Sequence, residues 1–593
     1  MSIWPATEEW SVGGGESKGD WTRFLPIIKT LRTYKREYVS GDMMAGLIVA
    51  IMLIPQGMAY ALLAGLPPQV GLYASMLPLF IYGLLGTSRY LAVGPVAIVS
   101  LLTAASVGGM VAEGTGEYLV LALTLALMVG LIQMLMGVLK VGFLVDFLSH
   151  PVLVGFSSAA AIVIGFSQVK NLLGLSVARG ESFVEQVLVV GQNLGETNLV
   201  TLGIGGGSIM VLLACKWYLE QWLRAWGVTE KWIVPITKSG PLVVVGVTTL
   251  LVWGFDGGAT AGIGIVGMVP AGWPSMSWPS MSGADWGALG TTAVAISFVG
   301  YMESISVAKS LASQRREEVD ANQELIALGL ANVGAAFTGG YPVTGGFSRS
   351  LVNYAAGART TLASLITAVL IALALLFLTP FFYYIPKATL AAIILVAVGG
   401  LIDLPTWRRV WGYSKLDGAA LLVTFGAVLL VGIETGILLG AGTSLLLYLA
   451  RTSQPHVAVV GRLPGSDYYR NVLRHEVETW PEAVLVRIDE SLYFGNTRRL
   501  EEVVQGVLAR QGEMRYLVLI GTAVNSVDFS ALEVLERLGE VLAEVGVELH
   551  LAGFKGPVMD RLEGSAFLAH LGEGRVHLTT QAAVDALGLG GGE

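Results

Sequence analysis

The sequence contains very little of what most active-site chemistry needs. Cys215 is the single cysteine among 593 residues, so an internal disulfide and a cysteine-built metal site are both excluded. The six histidines are scattered, and we find no nucleotide-binding glycine loop and no nucleophile elbow. These absences argue against an enzyme, and no cofactor, metal ion or nucleic-acid partner is expected.

Charge is also scarce. Only 13% of the residues are charged, 54% are hydrophobic, and the mean hydropathy is +0.67, whereas soluble domains have about a quarter of their residues charged. Apolar runs of about 18 or more residues, long enough to cross a bilayer, recur from Asp42 to Arg451. The composition therefore predicts a polytopic α-helical membrane protein.

The composition divides the chain into three parts. Residues 1–40 are polar and precede the membrane domain, which is predicted to occupy residues 41–452. From residue 453 to residue 593 charges return, and short apolar runs such as AVLVRI and YLVLIG alternate with amphipathic helices. This alternation is typical of an α/β domain.

Fourteen apolar segments are predicted to cross the membrane. They lie near residues 42–64, 68–86, 94–111, 117–138, 143–172, 199–221, 240–256, 285–309, 321–340, 345–356, 361–380, 387–402, 416–432 and 434–450. Lysines and arginines fall almost entirely in the loops on one side of these segments, and the other side holds only Lys170, Arg179 and Lys387. By the positive-inside rule both termini face the cytoplasm. The protein is expected in the cell (inner) membrane.

Two of the spans are interrupted by glycine and proline, and they stand seven spans apart. LAVGPVAIVSLL opens the third span and PVTGGFSRSLV opens the tenth. Paired short segments of this kind are typical of transporters built from inverted repeats, and they mark the substrate site. The fold predicted is therefore a seven-plus-seven inverted repeat. Alignment on Gly94 and Gly345 puts Ile98 opposite Arg349.

The interrupted spans predict an anion-binding site. A helix that begins inside the membrane has free N–H groups and about half a positive charge at its N-terminus, so two such starts form an anion cradle. Gly94, Gly345 and Gly346 let backbone amides approach the ligand, and Ser348 adds a hydroxyl. Burying Arg349 costs about 2.5–3.5 kcal/mol, which a bound anion would offset. Arg349 could instead snorkel to the interface or form a structural ion pair.

Glu303 lies in the middle of the eighth span and is the only deep carboxylate that the sequence indicates. An intramembrane carboxylate is a functional candidate by default, and we predict that Glu303 couples proton movement to anion movement. The alternative is a permanent pair with Arg349 that has no transport role. Gln56 and Tyr60, one turn apart on the first span, could offer an amide and a hydroxyl to the same cavity, which Phe347 could wall.

The segment IPQGMAYALLAGLPPQVGLYASMLPLFIYGLLGTSRYLAVGP resembles the signature of the SulP family of sulfate permeases and related anion transporters, and TGGFSRS resembles its tenth-helix motif. The resemblance implies gate and core subdomains, an elevator-like core movement and a homodimer. It also implies that the anion is bound between the two half-helices, by residues Val93, Gly94, Pro95, Val96, Ala97, Gly346, Phe347, Ser348 and Arg349. Glu303 together with Arg349 resembles the plant-type proton-coupled sulfate transporters, whereas related members carry bicarbonate or C4-dicarboxylates.

The tail, residues 453–593, resembles the STAS domain that this family shares with anti-sigma-factor antagonists. Ser530 takes the position that is phosphorylated in the antagonists, but Ile520 and Ala531 depart from that pattern. Asp528 and Ser530 at a helix start are explained as caps. The sequence thus predicts a secondary active anion transporter, with proton–sulfate symport as the first hypothesis and an anion sensor that signals through the STAS domain as the alternative.

Overall fold

The computed structural model of the protein describes residues 25–143, 149–177, 183–229, 233, 236–255, 262–509 and 512–589. Arg179 and residues 1–24 of the predicted N-terminal segment lie outside these ranges. The chain divides after Ser444 into two compact units, which we call the helical unit and the α/β unit.

Helices occupy most of the chain up to Thr452. In chain order the α-helices are Pro26–Arg32, Val39–Leu63, Pro68–Leu85, Ala97–Gly108, Gly116–Val138, His150–Ser167, Val169–Leu173, Phe183–Gln192, Leu199–Ala214, Glu220–Ala225, Gly240–Gly254, Gly283–Ser313, Ala321–Phe337, Phe347–Ala355, Leu362–Phe377, Thr379–Phe382, Lys387–Val398, Leu404–Tyr413, Lys415–Leu430 and Ile433–Thr452. A π-helix at Cys215–Leu219 joins the helices Leu199–Ala214 and Glu220–Ala225. Cys215 is half-buried.

Many of these helices are apolar enough for a bilayer. Within the described chain, seven helical stretches are long and apolar enough to cross a membrane, and four shorter apolar helices have 10–17 residues. Each of the fourteen predicted spans contains at least one helix. The two interrupted spans contain the first half-helix, Ala97–Gly108, and the second half-helix, Phe347–Ala355. The number of crossings stays a prediction.

Two glycines bring the first pair of long helices into backbone contact. A Cβ on Gly71 would lie 1.9 Å from the carbonyl oxygen of Gly57, so alanine does not fit there. The turn between the helices places Gly65 at φ +75°, a conformation that glycine adopts without strain. This close packing fixes the register of the helix that carries Gln56 and Tyr60, and both of these side chains are buried.

A two-stranded antiparallel sheet lies inside the helical unit. Val93–Gly94 pairs with Thr344–Gly345, so that Val93 stands opposite Gly345 and Gly94 opposite Thr344. All four residues are buried. Each strand is followed within a few residues by a half-helix, so the pairing brings together the two breaks that the sequence predicted.

The α/β unit is built on a six-stranded sheet. From one edge to the other the strands are Tyr469–Asn471, Val457–Arg462, Ala483–Ile488, Tyr516–Ile520, Glu548–Ala552 and Val576–His577. The first two strand pairs are antiparallel, and the other three are parallel. The helices are Thr497–Leu508, Phe529–Glu544, Gly556–Glu563, Phe567–Leu571 and Thr580–Ala586.

Two apolar cores cover the two faces of this sheet. The larger core packs four of the helices against the sheet, and the smaller one contains Ala583 and Val584 of the last helix. The predicted strands AVLVRI and YLVLIG are both present, and the predicted α/β layers are confirmed. Asp528 caps its helix by accepting from the Ala531 N–H at 2.8 Å. Ser530 is exposed and is not the cap residue, so the expectation that it caps is wrong.

Candidate functional site

The two half-helices start beside the short sheet, and each is tied to the segment before the other. The serine at the fourth position of each half-helix makes this tie. The Ser100 hydroxyl is 2.8 Å from the Tyr341 hydroxyl, and Ser350 Oγ accepts from the Ala92 N–H at 2.9 Å. The Gly346 N–H donates to the Ala92 carbonyl at 3.1 Å. The two starts are therefore held together by reciprocal contacts.

The N-terminal amides of both half-helices lie at this junction. The first intrahelical bonds run from the Ser100 N–H to the Val96 carbonyl and from the Ser350 N–H to the Gly346 carbonyl, each at 3.0 Å. The amides of the three residues before each serine lie ahead of the helical ladder. Neither cap residue, Val96 or Gly346, has a side chain that can accept from them. Such starts attract negative charge.

Arg349 extends from the second half-helix across to the first. Its side chain is 2% exposed, and its Nη1 donates to the Pro95 carbonyl at 2.6 Å. Among the described residues its Nε and Nη2 have no hydrogen-bond partner. A buried donor without a partner costs about 1–3 kcal/mol, and more when it is charged. The guanidinium is therefore buried against the start of the first half-helix.

Glu303 approaches the same junction from the helix Gly283–Ser313. Its carboxylate lies within electrostatic reach of the Phe347 N–H and of Arg349. Its Oε2 is buried and has no hydrogen-bond partner within the described part of the chain. Arg349 and Glu303 are thus neighbours, but the described residues include no contact ion pair between them. A permanent pair is not what this arrangement shows.

The remaining predicted residues divide into a buried and an open set. Of the predicted cradle, Val93, Gly94, Pro95, Val96, Ala97 and Gly346 are buried. Gln56 is buried, and Tyr60 lies within electrostatic reach of Arg349. Phe347 is 53% exposed and Ser348 is exposed as well. The first two side chains of the second half-helix are therefore exposed, unlike the rest of the predicted cradle.

The sequence did not single out Tyr341, although it lies directly before the predicted break. Its side chain is fully buried, bonds Ser100, and lies within electrostatic reach of Arg349. An aromatic hydroxyl beside Pro342 in an interrupted span was the available signal. Tyr341 therefore joins Tyr60, Glu303 and Arg349 as a polar group of the site.

A second set of polar side chains holds the second strand in place. Ser304 Oγ accepts from the Gly345 N–H at 2.8 Å and bonds the Thr344 hydroxyl at 2.7 Å. On the other side, Asn332 accepts from the Val343 N–H at 2.7 Å and donates to the Val343 carbonyl at 3.0 Å. These contacts fix the backbone from which the second half-helix begins.

Glu303 is not the only deep carboxylate of the described chain, which corrects the expectation from the sequence. Glu324 is fully buried and accepts from the Thr87 N–H at 2.6 Å, the Ser88 N–H at 2.9 Å and the Tyr82 hydroxyl at 2.8 Å. These donors satisfy a carboxylate without a cation. Glu324 therefore anchors the loop that leads to the first strand, whereas Glu303 keeps an unsatisfied oxygen.

Apolar helices that break in pairs around a buried charge define a membrane transporter. The sulfate permease family profile matches residues 39–424, and the STAS domain profile matches residues 474–583. The chain belongs to the sulfate permease family, as the sequence indicated. This is a family of transporters, so the expectation that the protein is not an enzyme is confirmed.

Named relatives and a solved structure are similar over most of the chain. Sulfate transporter 4.1 of Arabidopsis thaliana is 39% identical over 88% of this chain and 76% of its own length. A probable sulfate transporter of Mycobacterium tuberculosis is 35% identical over 95% of this chain and 98% of its own. The murine Solute Carrier 26 family member A9 anion transporter, in an inward-facing state, has a TM-score of 0.88 at 26% identity, over 98% and 97% of the two chains.

Proposed function

We propose that this protein is a secondary active transporter that takes up sulfate together with protons. The anion binds between the two half-helices, at the predicted cradle residues, with Gln56 and Tyr60 completing the pocket. Relatives that carry the name sulfate transporter, and an anion transporter of similar structure, support this substrate class. Bicarbonate or a C4-dicarboxylate, carried by the same fold, is the alternative.

The observation that carries the proposal is the unsatisfied guanidinium of Arg349. Two of its nitrogens, Nε and Nη2, are buried and have no partner among the described residues, and the cap residues of the two half-helices have no side-chain acceptor. A tetrahedral oxyanion can accept a pair of parallel N–H bonds from a guanidinium and further bonds from backbone amides. Both kinds of donor meet here, so one small oxyanion would satisfy groups that are otherwise costly to bury.

Sulfate uptake against a negative interior must be coupled to the movement of another ion. Moving divalent sulfate into a negative interior costs about 2.3 kcal/mol per charge per 100 mV, or about 4.6 kcal/mol in total. Two protons make the cycle electroneutral, and each contributes about 1.36 kcal/mol per unit of pH gradient. Glu303 can carry one of them, because its Oε2 is buried without a hydrogen-bond partner among the described residues, which favours the protonated form, while Arg349 favours release of the proton. The second proton travels on the substrate or on another group.

In this proposal the chain crosses the cell membrane fourteen times as two inverted repeats of seven helices. Residues 1–40 and the STAS domain, residues 453–593, are cytoplasmic, and residues 41–452 form the transport domain. A core that contains both half-helices moves against a gate in an elevator-like motion, and two copies form a homodimer. The pairing of the two strands supports a single core, because neither half-helix start can move without the other.

Uptake of labelled sulfate into proteoliposomes, with and without an inward proton gradient, tests this function. We expect the gradient to drive accumulation above the equilibrium level. Sulfate flux that does not depend on the proton gradient would contradict symport. The absence of flux for any anion would favour an anion sensor. Competition by bicarbonate and by succinate in the same assay separates sulfate from the two alternative substrates.

A further inference from the structure

A polar cavity of about 220 Å³ lies in the helical unit, next to the end of the helix Val39–Leu63. Its lining includes Leu63, Gln168, Lys170, Asn171 and Lys387. A single water needs a cavity of about 10–15 Å³, so this one has room for a small hydrated ion. The mechanism proposed above does not use this cavity.

The cavity is lined by two of the few basic residues in the loops opposite the termini. The loops on the side opposite the termini hold only three lysines or arginines, and Lys170 and Lys387 are two of them. Both line this one cavity. Among the described lining residues Glu113 is the single acid, so the formal charge of this part of the lining is positive. A cavity of this sign attracts anions.

Lys387 sits where its helix disfavours a cation. It is the first residue of the helix Lys387–Val398, and a positive charge at a helix N-terminus is destabilising because the macrodipole is positive there. Within the described residues it makes no ion pair that would compensate. Lys387 is exposed, and its own N–H donates to the Gly264 carbonyl at 2.8 Å, so its ammonium group is what brings positive charge to the cavity.

Neutral amides supply further donors. Gln168 is 3% exposed, donates to the Ser167 hydroxyl at 3.1 Å, and accepts from the Asn171 amide at 3.2 Å. These bonds fix the orientation of both amides at the break between the helices His150–Ser167 and Val169–Leu173. The polar lining is therefore ordered before any ion enters.

The cavity is close to the central site along the same helix. Leu63 lies three residues beyond Tyr60, which is about 4.5 Å at 1.5 Å per residue. We propose that this cavity is an outer anion site, in which Lys170 and Lys387 take a small oxyanion from the non-cytoplasmic side before it reaches the half-helices. This inference rests on the proposed function, because it adds a second site to the same path.

Oriented proteoliposomes test the outer site. Sulfate entry is measured separately for molecules whose non-cytoplasmic face or whose cytoplasmic face meets the labelled solution. For the double variant Lys170→Gln/Lys387→Gln we expect KM from the non-cytoplasmic side to rise about tenfold, which is about 1.4 kcal/mol, with kcat and the cytoplasmic-side KM unchanged. Lys309→Gln, an exposed lysine outside the cavity lining, is the matched control. An unchanged KM, or an equal rise from both sides, overturns the proposal.

A labelling experiment gives a readout that does not depend on transport. In a Cys215→Ser chain, Val189→Cys places one thiol in the cavity lining for an impermeant thiosulfonate, without removing the Gln168 or Asn171 amide. We expect sulfate, but not gluconate, to slow labelling severalfold, also when Arg349→Ala removes the central site. We expect sulfate to protect the thiol also in Lys170→Arg/Lys387→Arg, because both charges are retained. We expect the protection to be lost in Lys170→Gln/Lys387→Gln.

The two experiments separate the failure of this inference from the failure of the proposed function. If the wild-type protein moves no anion, yet sulfate protects the thiol of the labelling variant, the transport proposal is contradicted and the outer site is kept. A protein that accumulates sulfate while its cavity thiol is labelled at the same rate with and without sulfate keeps the transport proposal. That second result overturns the outer site.

Discussion

The guanidinium groups of Arg349 and Arg487 allow a direct comparison between the helical unit and the α/β unit. Arg487 is partly exposed and holds Asp489 with two bonds, from Nε at 2.6 Å and from Nη2 at 3.0 Å. These hydrogen bonds raise the pKa of Arg487. Arg349 is buried, bonds only the Pro95 carbonyl, and has no carboxylate in contact among the described residues.

The difference separates a structural cation from a cation kept for a ligand. Arg487 is satisfied by its own chain, so an added anion gains nothing from it. Arg349 has two buried nitrogens, Nε and Nη2, without a hydrogen-bond partner among the described residues. Leaving buried donors without partners is costly. The following changes test that distinction, beginning with the one of largest expected effect.

Replacing Arg349 removes the charge on which the site depends. We expect Arg349→Ala to weaken sulfate binding by about a hundredfold or more, because charge-assisted hydrogen bonds contribute about 1.5–3 kcal/mol each. Binding of labelled sulfate to purified protein measures this, and thermal unfolding should change little. Arg359→Ala, which removes an exposed arginine, is the control. Unaltered affinity in Arg349→Ala would contradict the site.

Neutralising Glu303 should separate binding from coupling. We expect Glu303→Gln to keep exchange of sulfate across the membrane and to lose accumulation driven by a proton gradient, because an amide cannot carry the proton. Exchange and accumulation are compared in the same proteoliposomes, with Glu318→Gln, an exposed acid, as the control. If accumulation survives in Glu303→Gln, this carboxylate has only a structural role.

A methyl group at Gly346 should displace the guanidinium without removing it. The added Cβ would lie 2.8 Å from Arg349 Nη2 and 2.9 Å from Cζ, so the side chain must shift. We expect Gly346→Ala to weaken sulfate binding about tenfold, or about 1.4 kcal/mol. Gly426→Ala, where no heavy atom lies within 4 Å of the new Cβ, should change nothing. Equal affinities for the two variants would show that the guanidinium has room to adapt.

The satisfied arginine should matter only for stability. We expect Arg487→Ala to lower the free energy of unfolding of the α/β unit by about 1 kcal/mol or less, because a partly exposed pair contributes little. Sulfate affinity should not change. Thermal unfolding and sulfate binding on the same sample measure both quantities. A loss of sulfate affinity in Arg487→Ala would contradict the claim that this arginine is only structural.

The smallest expected effect is a pH dependence in the α/β unit. His550 Nδ1 lies 3.1 Å from His577 Nε2. Burial and the neighbouring His577 lower the pKa of His550, burial lowers that of His577, and Glu548 and Arg575 flank the pair. Because the folded pKa values lie below the unfolded value of about 6.5, the pair stabilises the fold above that pH. This stability is lost as the pH falls through the folded values.

Hydrogen exchange in the strands Glu548–Ala552 and Val576–His577 measures this loss. We expect faster exchange as the pH is lowered from about 7.5 to about 5.5, after correction for the intrinsic pH dependence of exchange. His577→Gln should flatten the dependence. His475→Gln, an exposed histidine, should leave it intact, and an equal effect of the two variants would contradict the role of the pair.

Much of the site was predictable because glycine and proline show where helices break, and because a charge in an apolar run is rare. The contacts that join the two breaks were not predictable. Ser100 meets Tyr341, and Ser350 meets Ala92, across hundreds of residues, and serine in a helix gives no sign of its partner. Only the folded structure shows which serines connect the two half-helix starts.

The sequence alignment of the two interrupted spans differs by one residue from a count that begins at the two helix starts. Two residues separate Gly94 from the first half-helix, whereas only Gly346 separates the second strand from its half-helix. Counted from the helix starts, Val99 rather than Ile98 therefore stands opposite Arg349. Glu324 was missed for a different reason, because an acid in the first turn of a helix usually caps that helix.

The most direct test of the account is the position of a bound anion. Selenate has the charge and shape of sulfate, and its heavy atom can be located in a structure of the complex. We expect it between the two half-helix starts, within hydrogen-bonding distance of Arg349 Nε and Nη2 and of the free amides. Selenate found elsewhere, with Arg349 bonded instead to Glu303, would contradict the account.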